Sequence, residues 1–364
     1  MMLPADNSIS LIIAYLNHLP NGLLNILAFV YFFHRLRSVA YCKSIPMAIS
    51  IAEHIHGREW LDNNSNQLKK IGDSAFKLIT HGLLACFGYL YFKQMPWYWG
   101  EGGNSMETFT NYSSFEMATP FLTYYYLQVA YNIEALIFLV RQSFTLSFGK
   151  GYKYGLQWGW AKSVRGDFNE MMTHHIITNT MLIGSMILKI TRTGSIVLVL
   201  HDISDIPIDL AKIFNALKME RCTVFFYVTM CSTWIYLRLY IYPRVIYNTY
   251  VDLEGYSDIL GGNRPLFYFL KGTFIVLMSS LLVLHIVWFG IFIKIGYVLV
   301  MKKECHDLSE EKKGEEYYNT LSQARKEDKE EEEEEEEENS EKALSEEEEG
   351  IDISLEADAS KKMV

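Results

Sequence analysis

The chain has 364 residues, 50% of them hydrophobic and 14% aromatic, and its formal net charge is −10 at pH 7. The acidic excess belongs to residues 302–364, which hold 25 Asp and Glu against 10 Lys and Arg. The 23 basic and 18 acidic residues before them leave the body mildly basic. Five cysteines without a CxxC pair exclude a disulfide or zinc framework as the organising principle.

Seven apolar runs are long enough to cross a membrane, since a helical span needs about 20 mostly apolar residues. The runs are Ile9–Phe33, Ser74–Phe92, Phe121–Val140, Glu170–Ile190, Gly194–Phe214, Thr223–Ile241 and Phe269–Val300. Seven such runs do not fit a soluble core. We therefore predict an all-α, polytopic membrane protein with about seven transmembrane helices. The first run has no early cleavage site, and we expect it to be an uncleaved anchor.

The distribution of Lys and Arg between the runs predicts the orientation. Connections rich in Lys and Arg alternate with connections that have few of them. The amino terminus is therefore expected on the lumenal side and the tail in the cytosol. Asn111 begins an Asn-Tyr-Ser sequon in a predicted lumenal connection and is the glycosylation candidate. The tail contains nine consecutive glutamates, Glu330–Glu338, and is predicted to be disordered because it cannot bury a core.

Two connections are rich in aromatic residues. The stretch Pro96-Trp97-Tyr98-Trp99 is expected to form part of an interfacial belt at the membrane face. The stretch Ser147–Trp160 also contains several glycines. We expect it to be a surface loop anchored among lipid headgroups, with a lid over a cytosolic opening as the alternative.

Ionisable residues lie inside the fourth and fifth apolar runs, where each one is energetically expensive. His174 and His175 are adjacent and therefore about 100° apart on a helix, and Thr178 lies one turn above His174. After His201, the fifth run carries a stripe at spacings i, i+3, i+7 and i+10, formed by Asp202, Asp205, Asp209 and Lys212. Such a stripe must line a polar cavity inside the bundle. A kink is expected at Pro207. Asp209 and Lys212 have a spacing at which their charges could neutralise each other.

Three kinds of chemistry fit this constellation. Two or three histidines with aspartates suit zinc or iron, although adjacent histidines on one helix chelate poorly. A neutral histidine oriented by a buried aspartate can act as a general base or attack an acyl group. A proton-coupled transporter would also use such groups, but no repeated half is visible in the sequence.

Several of these motifs together resemble the signature of the ceramide synthases, which belong to the TLC-domain family of membrane proteins. The similar segments are Arg165–Thr178 (RGDFNEMMTHHIIT), Leu200–Asp205 (LHDISD), Ala211-Lys212 and the Trp-rich element at Pro96–Trp99. The resemblance covers Leu68–Val300. It implies an amino-terminal helix and cytosolic connection over residues 1–67, a TLC catalytic domain of six helices in a barrel over 68–301, and the tail over 302–364.

The resemblance also implies a function, namely N-acylation of a sphingoid base by a fatty acyl-CoA in the endoplasmic reticulum membrane. This reaction gives ceramide and CoA, with acyl-CoA as co-substrate and no metal or other cofactor. His174 is then the nucleophile or base, His175 assists, and Asp202 and Asp205 orient the histidines and hold the amine. Supporting roles fall to His201, Asp209, Lys212, Arg165 and Thr178.

Two alternatives stay open beside this function. One is a non-catalytic TLC protein that binds lipid or takes part in translocation, and the other is a metal-dependent, ceramidase-like hydrolase. Membrane lipids are expected partners, and a homo- or heterodimer is open. No homeodomain-like segment is present, because Arg35–Lys70 is too short for one, so we expect no nucleic-acid partner.

Overall fold

A computed structural model describes residues 6–98, 118–148, 156–160, 167–187, 190–256 and 263–302. Its helices are α1 (Asp6–His56), α2 (Arg58–Leu68), α3 (Ile71–Phe92), α4 (Thr119–Ser143), α5 (Phe168–Ile187), α6 (Thr191–Ala216), α7 (Glu220–Thr233), α8 (Tyr242–Asp252) and α9 (Arg264–Lys302). A π-helical segment, Trp234–Ile241, joins α7 to α8, and a 3₁₀ turn, Leu253–Tyr256, follows α8. Five of the seven predicted spans lie within a single helix. Thr223–Ile241 covers α7 and the π-helical segment, and Glu170–Ile190 extends past the end of α5 at Ile187.

Among the described residues, four helical stretches are long and apolar enough to cross a membrane, namely Gly22–His56, Ile71–Phe92, Glu220–Gly255 and Arg264–Tyr297. The distribution of side chains agrees, because large apolar groups such as Leu24, Phe225 and Phe269 are exposed while Arg37 and Glu134 are buried. Apolar groups outside and paired charges inside are typical of a protein surrounded by lipid. The prediction of a helical, multi-pass membrane protein is therefore confirmed.

Helix α6 lies at the centre of the bundle, in contact with α3, α5, α7, α8 and the π-helical segment. It stays helical through Pro207. Its approach to α3 is close at Gly88, where an added Cβ would lie 2.5 Å from Val199 Cγ2 and 3.0 Å from the Tyr124 ring. Small residues permit such close crossings between membrane helices. The carboxylates of α6 are therefore brought near α3.

Trp97 is a core residue, so the expected interfacial belt is wrong for this side chain. Backbone hydrogen bonds turn the chain back over the end of α3, from Met95 N to the Phe92 carbonyl and from Tyr98 N to the Met95 carbonyl. The turn brings the Trp97 ring to 5.5 Å from Phe92 and 6.1 Å from Phe121, measured between centroids. The indole is thereby packed inside the bundle, 4% exposed. Trp99 lies outside the described residues.

A two-stranded antiparallel hairpin is a departure from the all-α prediction. Strand β1 (Phe144–Phe148) follows α4 directly and pairs with β2 (Leu156–Trp160), with Phe144 opposite Trp160 and Leu146 opposite Trp158. The expected surface loop over Ser147–Trp160 therefore contains ordered strand. Apolar residues alternate with Thr, Ser, Gln or Gly in both strands, and that period of two is typical of β-structure.

Helix α1 is longer than predicted, because its run of apolar residues was expected to end at Phe33 and the helix ends at His56. The first charged residues do not stop it, since Arg37 is buried in ion pairs. Its guanidinium contacts Glu134 of α4 at 2.7 Å and Asp73 of α3 at 2.6 Å. Residues 303–364, with the predicted disordered tail, lie outside the described residues.

Candidate active site

The double histidine lies on α5, facing α9. The His174 ring is 5.3 Å from the Trp288 ring and 5.4 Å from the His175 ring, measured between centroids. Two buried polar atoms one turn apart on this helix, His174 Nδ1 and Thr178 Oγ1, have no hydrogen-bond partner among the described residues. Buried polar groups are normally satisfied, so these two atoms are candidates for contact with a substrate or water.

His201 of α6 contacts a second buried histidine, His285 of α9. Their Nε2 atoms are 3.0 Å apart, and His201 Nδ1 donates to the Val197 carbonyl at 2.7 Å. Because a carbonyl oxygen only accepts, the hydrogen of a neutral His201 is on Nδ1 and its Nε2 carries a lone pair. The tautomer and orientation of His201 are therefore set by its own helix.

Arg238 occupies the space between the π-helical segment and α6 and is 2% exposed. Its Nε donates to Ser204 Oγ at 2.7 Å, and its Nη2 donates to Asp205 and to the His201 carbonyl. The guanidinium also lies over the Trp234 ring, 4.1 Å from its centroid. A π-helical turn is often found at functional sites, and here it carries the permanent cation that neutralises Asp205.

Asp202 has a partner of a different kind. Gln128 of α4 donates from Nε2 to Asp202 Oδ2 at 2.5 Å and to Tyr124 Oη at 3.0 Å. Asp202 is 5% exposed, and this uncharged amide provides its hydrogen bond within the described part of the chain. Among the described residues, the Asp202 carboxyl is thus oriented by an uncharged donor.

Asp209 is bonded to His81 of α3. His81 Nδ1 lies 2.8 Å from Asp209 Oδ2, and its Nε2 lies 2.8 Å from Tyr131 Oη of α4. The close approach of α3 and α6 allows this bond. The three helices are thereby joined by one hydrogen-bonded line.

The structure brings five of the predicted residues and two others into one largely buried region, which we call the polar centre: His174, His175, His201, Asp202, Asp205, Arg238 and His285. The hydrogen bonds of Asp202 and Asp205 come from Gln128 and Arg238, so these partners orient the carboxylates. Lys212 is half-buried farther along α6. Arg165 and Asn111 lie outside the described residues.

The sequence analysis missed His285 and Arg238 as members of the polar centre and His81 as the partner of Asp209. The two histidines stood alone in apolar runs, where a structural role is the usual interpretation, and Arg238 was not singled out. The signal that could have found all three is the cost of an ionisable side chain in an apolar span. Within the described ranges, no group of three or more His, Cys, Asp or Glu is arranged to hold a metal ion.

These observations define a multi-pass helical membrane protein with an enclosed polar centre. Residues 70–294, more than half of the chain, match the family described as the TLC domain, so the chain belongs to the TLC-domain family. The membership predicted from the motifs is confirmed.

Relatives in the family carry the names expected from the motifs. The chain is 23% identical to sphingosine N-acyltransferase lag1 of Schizosaccharomyces pombe over 244 residues, covering 64% of this chain and 55% of the relative. It is 25% identical to ceramide synthase 4 of Bos taurus over 67% of this chain and 55% of the relative. It is 34% identical to ceramide synthase LOH2 of Arabidopsis thaliana over 38% of this chain and 46% of the relative. The chain thus spans about half the length of these curated relatives.

Proposed function

We propose that this protein is a ceramide synthase, an acyltransferase that joins a fatty acyl group from acyl-CoA to the amine of a sphingoid long-chain base. The proposal combines the names of the relatives with one observation in the polar centre. His174 has a buried ring nitrogen without a hydrogen-bond partner among the described residues, whereas His201, Asp202, Asp205 and Asp209 are each bonded to a neighbouring group. Among the residues that the motifs single out for the reaction, His174 is therefore the one we assign to the chemistry.

The reaction breaks the thioester C–S bond and forms an amide C–N bond. A protonated amine and an acyl-CoA yield an amide, CoA thiol and one proton. His174 acts either as the nucleophile that accepts the acyl group or as the base that takes the proton from the amine, and His175 assists. The apolar surroundings, including Trp288, favour the neutral imidazole that both roles require.

The amine arrives as a cation and needs a negative partner. Asp205 is neutralised by Arg238, and Asp209 is bonded to His81. Asp202 keeps a charge that its amide partner Gln128 does not offset. We therefore assign ammonium binding to Asp202 and a positioning role to Asp205. The motifs had suggested that both residues hold the amine.

The remaining parts of the proposal concern the setting of the reaction. Acyl-CoA is the co-substrate, without a metal or other cofactor, and its phosphates bind basic groups at the cytosolic end, including Arg165 and Lys212. Seven helices span the endoplasmic reticulum membrane, six of them in a barrel, with a lumenal amino terminus and a cytosolic tail. The alternation of connections rich and poor in Lys and Arg supports this orientation, and the resemblance to ceramide synthases supports the location.

The test is to express the full chain in membranes that lack endogenous ceramide synthesis, supply a sphingoid base and acyl-CoA of several chain lengths, and measure amide by mass spectrometry. We expect amide that persists after chelator treatment and is lost in His174→Ala. Thr180→Ala is the control on the same helix, since Thr180 is exposed and, within the described residues, its hydroxyl donates only to the Ile176 carbonyl. A folded protein that forms no amide contradicts the function, and chelator-sensitive amide hydrolysis would indicate the hydrolase.

A further inference from the structure

His285 of α9 has a buried ring nitrogen that the described residues leave without a hydrogen-bond partner. The residue is fully buried, 0% exposed, and its Nδ1 has no hydrogen-bond partner among the described residues. Leaving a buried hydrogen-bonding atom unsatisfied is energetically unfavourable. Such an atom in a polar centre requires an explanation.

The tautomer of His285 follows from its neighbour. His201 Nε2 carries a lone pair, because its Nδ1 hydrogen is donated to the Val197 carbonyl. The 3.0 Å contact between the two Nε2 atoms is then a hydrogen bond only if His285 Nε2 is the donor. A neutral His285 with its hydrogen on Nε2 has a lone pair on Nδ1.

Arg238 does not alter this assignment. An arginine nitrogen only donates, so Nη1 of Arg238 would need His285 Nε2 as an acceptor. That contact, at 3.4 Å, is at the limit of a hydrogen bond, and the shorter 3.0 Å contact between the two histidines is the one that sets the tautomer. The donors on Nε and Nη2 of Arg238 are directed at Ser204, Asp205 and the His201 carbonyl. A second positive charge on His201 or His285 beside this buried guanidinium would be unfavourable.

The same charge decides which kind of donor His285 Nδ1 can accept from. A ligand ammonium at this imidazole would be repelled by Arg238, whereas Asp202 attracts it. A neutral hydroxyl has no such penalty. Trp288 lies between His285 and His174, the proposed reacting group. The centroid of its ring is 6.4 Å from that of His285 and 5.3 Å from that of His174.

We propose that His285 is a specificity-determining residue whose Nδ1 accepts a hydrogen bond from a hydroxyl of a long-chain amino alcohol. This inference rests on the proposed acyl transfer. It assigns the ammonium and the hydroxyl of the same substrate to different groups, Asp202 and His285. A site built to bond a hydroxyl discriminates strongly against an analogue that lacks it.

The experiment compares two acceptors of equal length, a saturated 2-amino-1,3-diol and the plain primary alkylamine, in membranes containing the full chain. Two substitutions separate the ring nitrogens of His285. His285→Asn retains an amide group near the position of Nδ1 and loses the contact with His201. His285→Gln retains a donor near Nε2 and places no acceptor at Nδ1. Thermal unfolding in detergent checks that each variant is folded.

We expect the wild type to prefer the diol in kcat/KM by about tenfold or more. His285→Gln should reduce this preference to about twofold, and His285→Asn should keep it within about threefold of the wild-type value. Equal loss with both acceptors, or loss in the Asn variant alone, overturns the inference, because His285 would then act only through His201. A wild type that accepts both amines equally overturns it without any variant. A wild type inactive with both amines instead contradicts the acyltransferase function itself.

Discussion

The three carboxylates of α6 differ in the partner that each one contacts. Asp202 accepts from an uncharged amide, Asp205 from a permanent cation and Asp209 from an imidazole. A carboxylate whose charge is already neutralised binds a cationic substrate weakly, whereas one held by a neutral donor keeps its attraction. At the scale of single residues, the partner therefore decides the role of each carboxylate.

Replacing Asp202 and Asp205 by Asn should have different consequences. Asp202→Asn keeps a group that can bond Gln128 but removes the charge, so we expect kcat/KM for the amine to fall by about tenfold or more while the protein stays folded. Asp205→Asn leaves the buried guanidinium of Arg238 without its anion, which should destabilise the fold by about 3–5 kcal/mol. Steady-state kinetics with amine and acyl-CoA varied separately, together with thermal unfolding in detergent, measure both effects. Equal stability of the two variants would contradict this division of roles.

Among the elements, the contact between α3 and α6 positions the polar groups. The two helices approach closely because Gly88 has no side chain where Val199 and Tyr124 pack. One face of α3 also supplies His81, whose bond to Asp209 depends on the same separation. A bulkier residue at position 88 would therefore disturb a hydrogen bond two turns away.

Gly88→Ala should lower both stability and activity, because the added Cβ meets Val199 Cγ2 at 2.5 Å and part of the contact is with the ring of Tyr124. Overpacking of this kind costs about 1–3 kcal/mol. Gly82→Ala is the matched control in the same helix, since nothing lies within 4 Å of its added Cβ, and it should be neutral or slightly stabilising. Thermal unfolding of both variants in detergent measures their stability. A similar loss of stability in both would rule out close packing as the cause.

At the scale of the whole molecule, α1 is fixed to the bundle although it precedes the family match at residues 70–294. Arg37 joins Asp73 of α3 to Glu134 of α4, and its guanidinium lies 3.7 Å from the centroid of Phe138. A buried cation with two anions and an aromatic neighbour is much less screened by salt than a surface pair. We infer that α1 is an integral part of the bundle.

Arg37→Ala should therefore destabilise the protein by about 3–5 kcal/mol, because it leaves Glu134 buried without its cation. The loss should be nearly independent of salt between low and high ionic strength. Glu254→Gln is the comparison, since the Glu254 side chain is 51% exposed in its pair with Lys271, whose side chain is 6% exposed, and its effect should depend more on salt than that of Arg37→Ala. Unfolding temperatures in detergent across a salt series test this; a strongly salt-dependent effect of Arg37→Ala would argue against burial.

Much of the fold could be predicted because spans depend on local composition. Seven helices occur where the apolar runs lie, and the polar stripe of α6 was predicted from its spacing. The hairpin at Phe144–Phe148 and Leu156–Trp160 was missed, although its period-two pattern was present. The burial of Trp97 could not be predicted, because it depends on a turn that folds back over α3.

The sequence by itself determined the class of protein, the position of the double histidine and the need for a polar cavity, since these follow from the cost of ionisable groups in apolar helices. Only the tertiary structure decided which group pairs with which carboxylate, because hydrogen bonds reach across helices that are far apart in the chain. Gln128, Arg238 and His81 lie 74, 33 and 128 residues from the aspartates they contact. The same folding placed His285 against His201, and with it the buried ring nitrogen that no local pattern indicates.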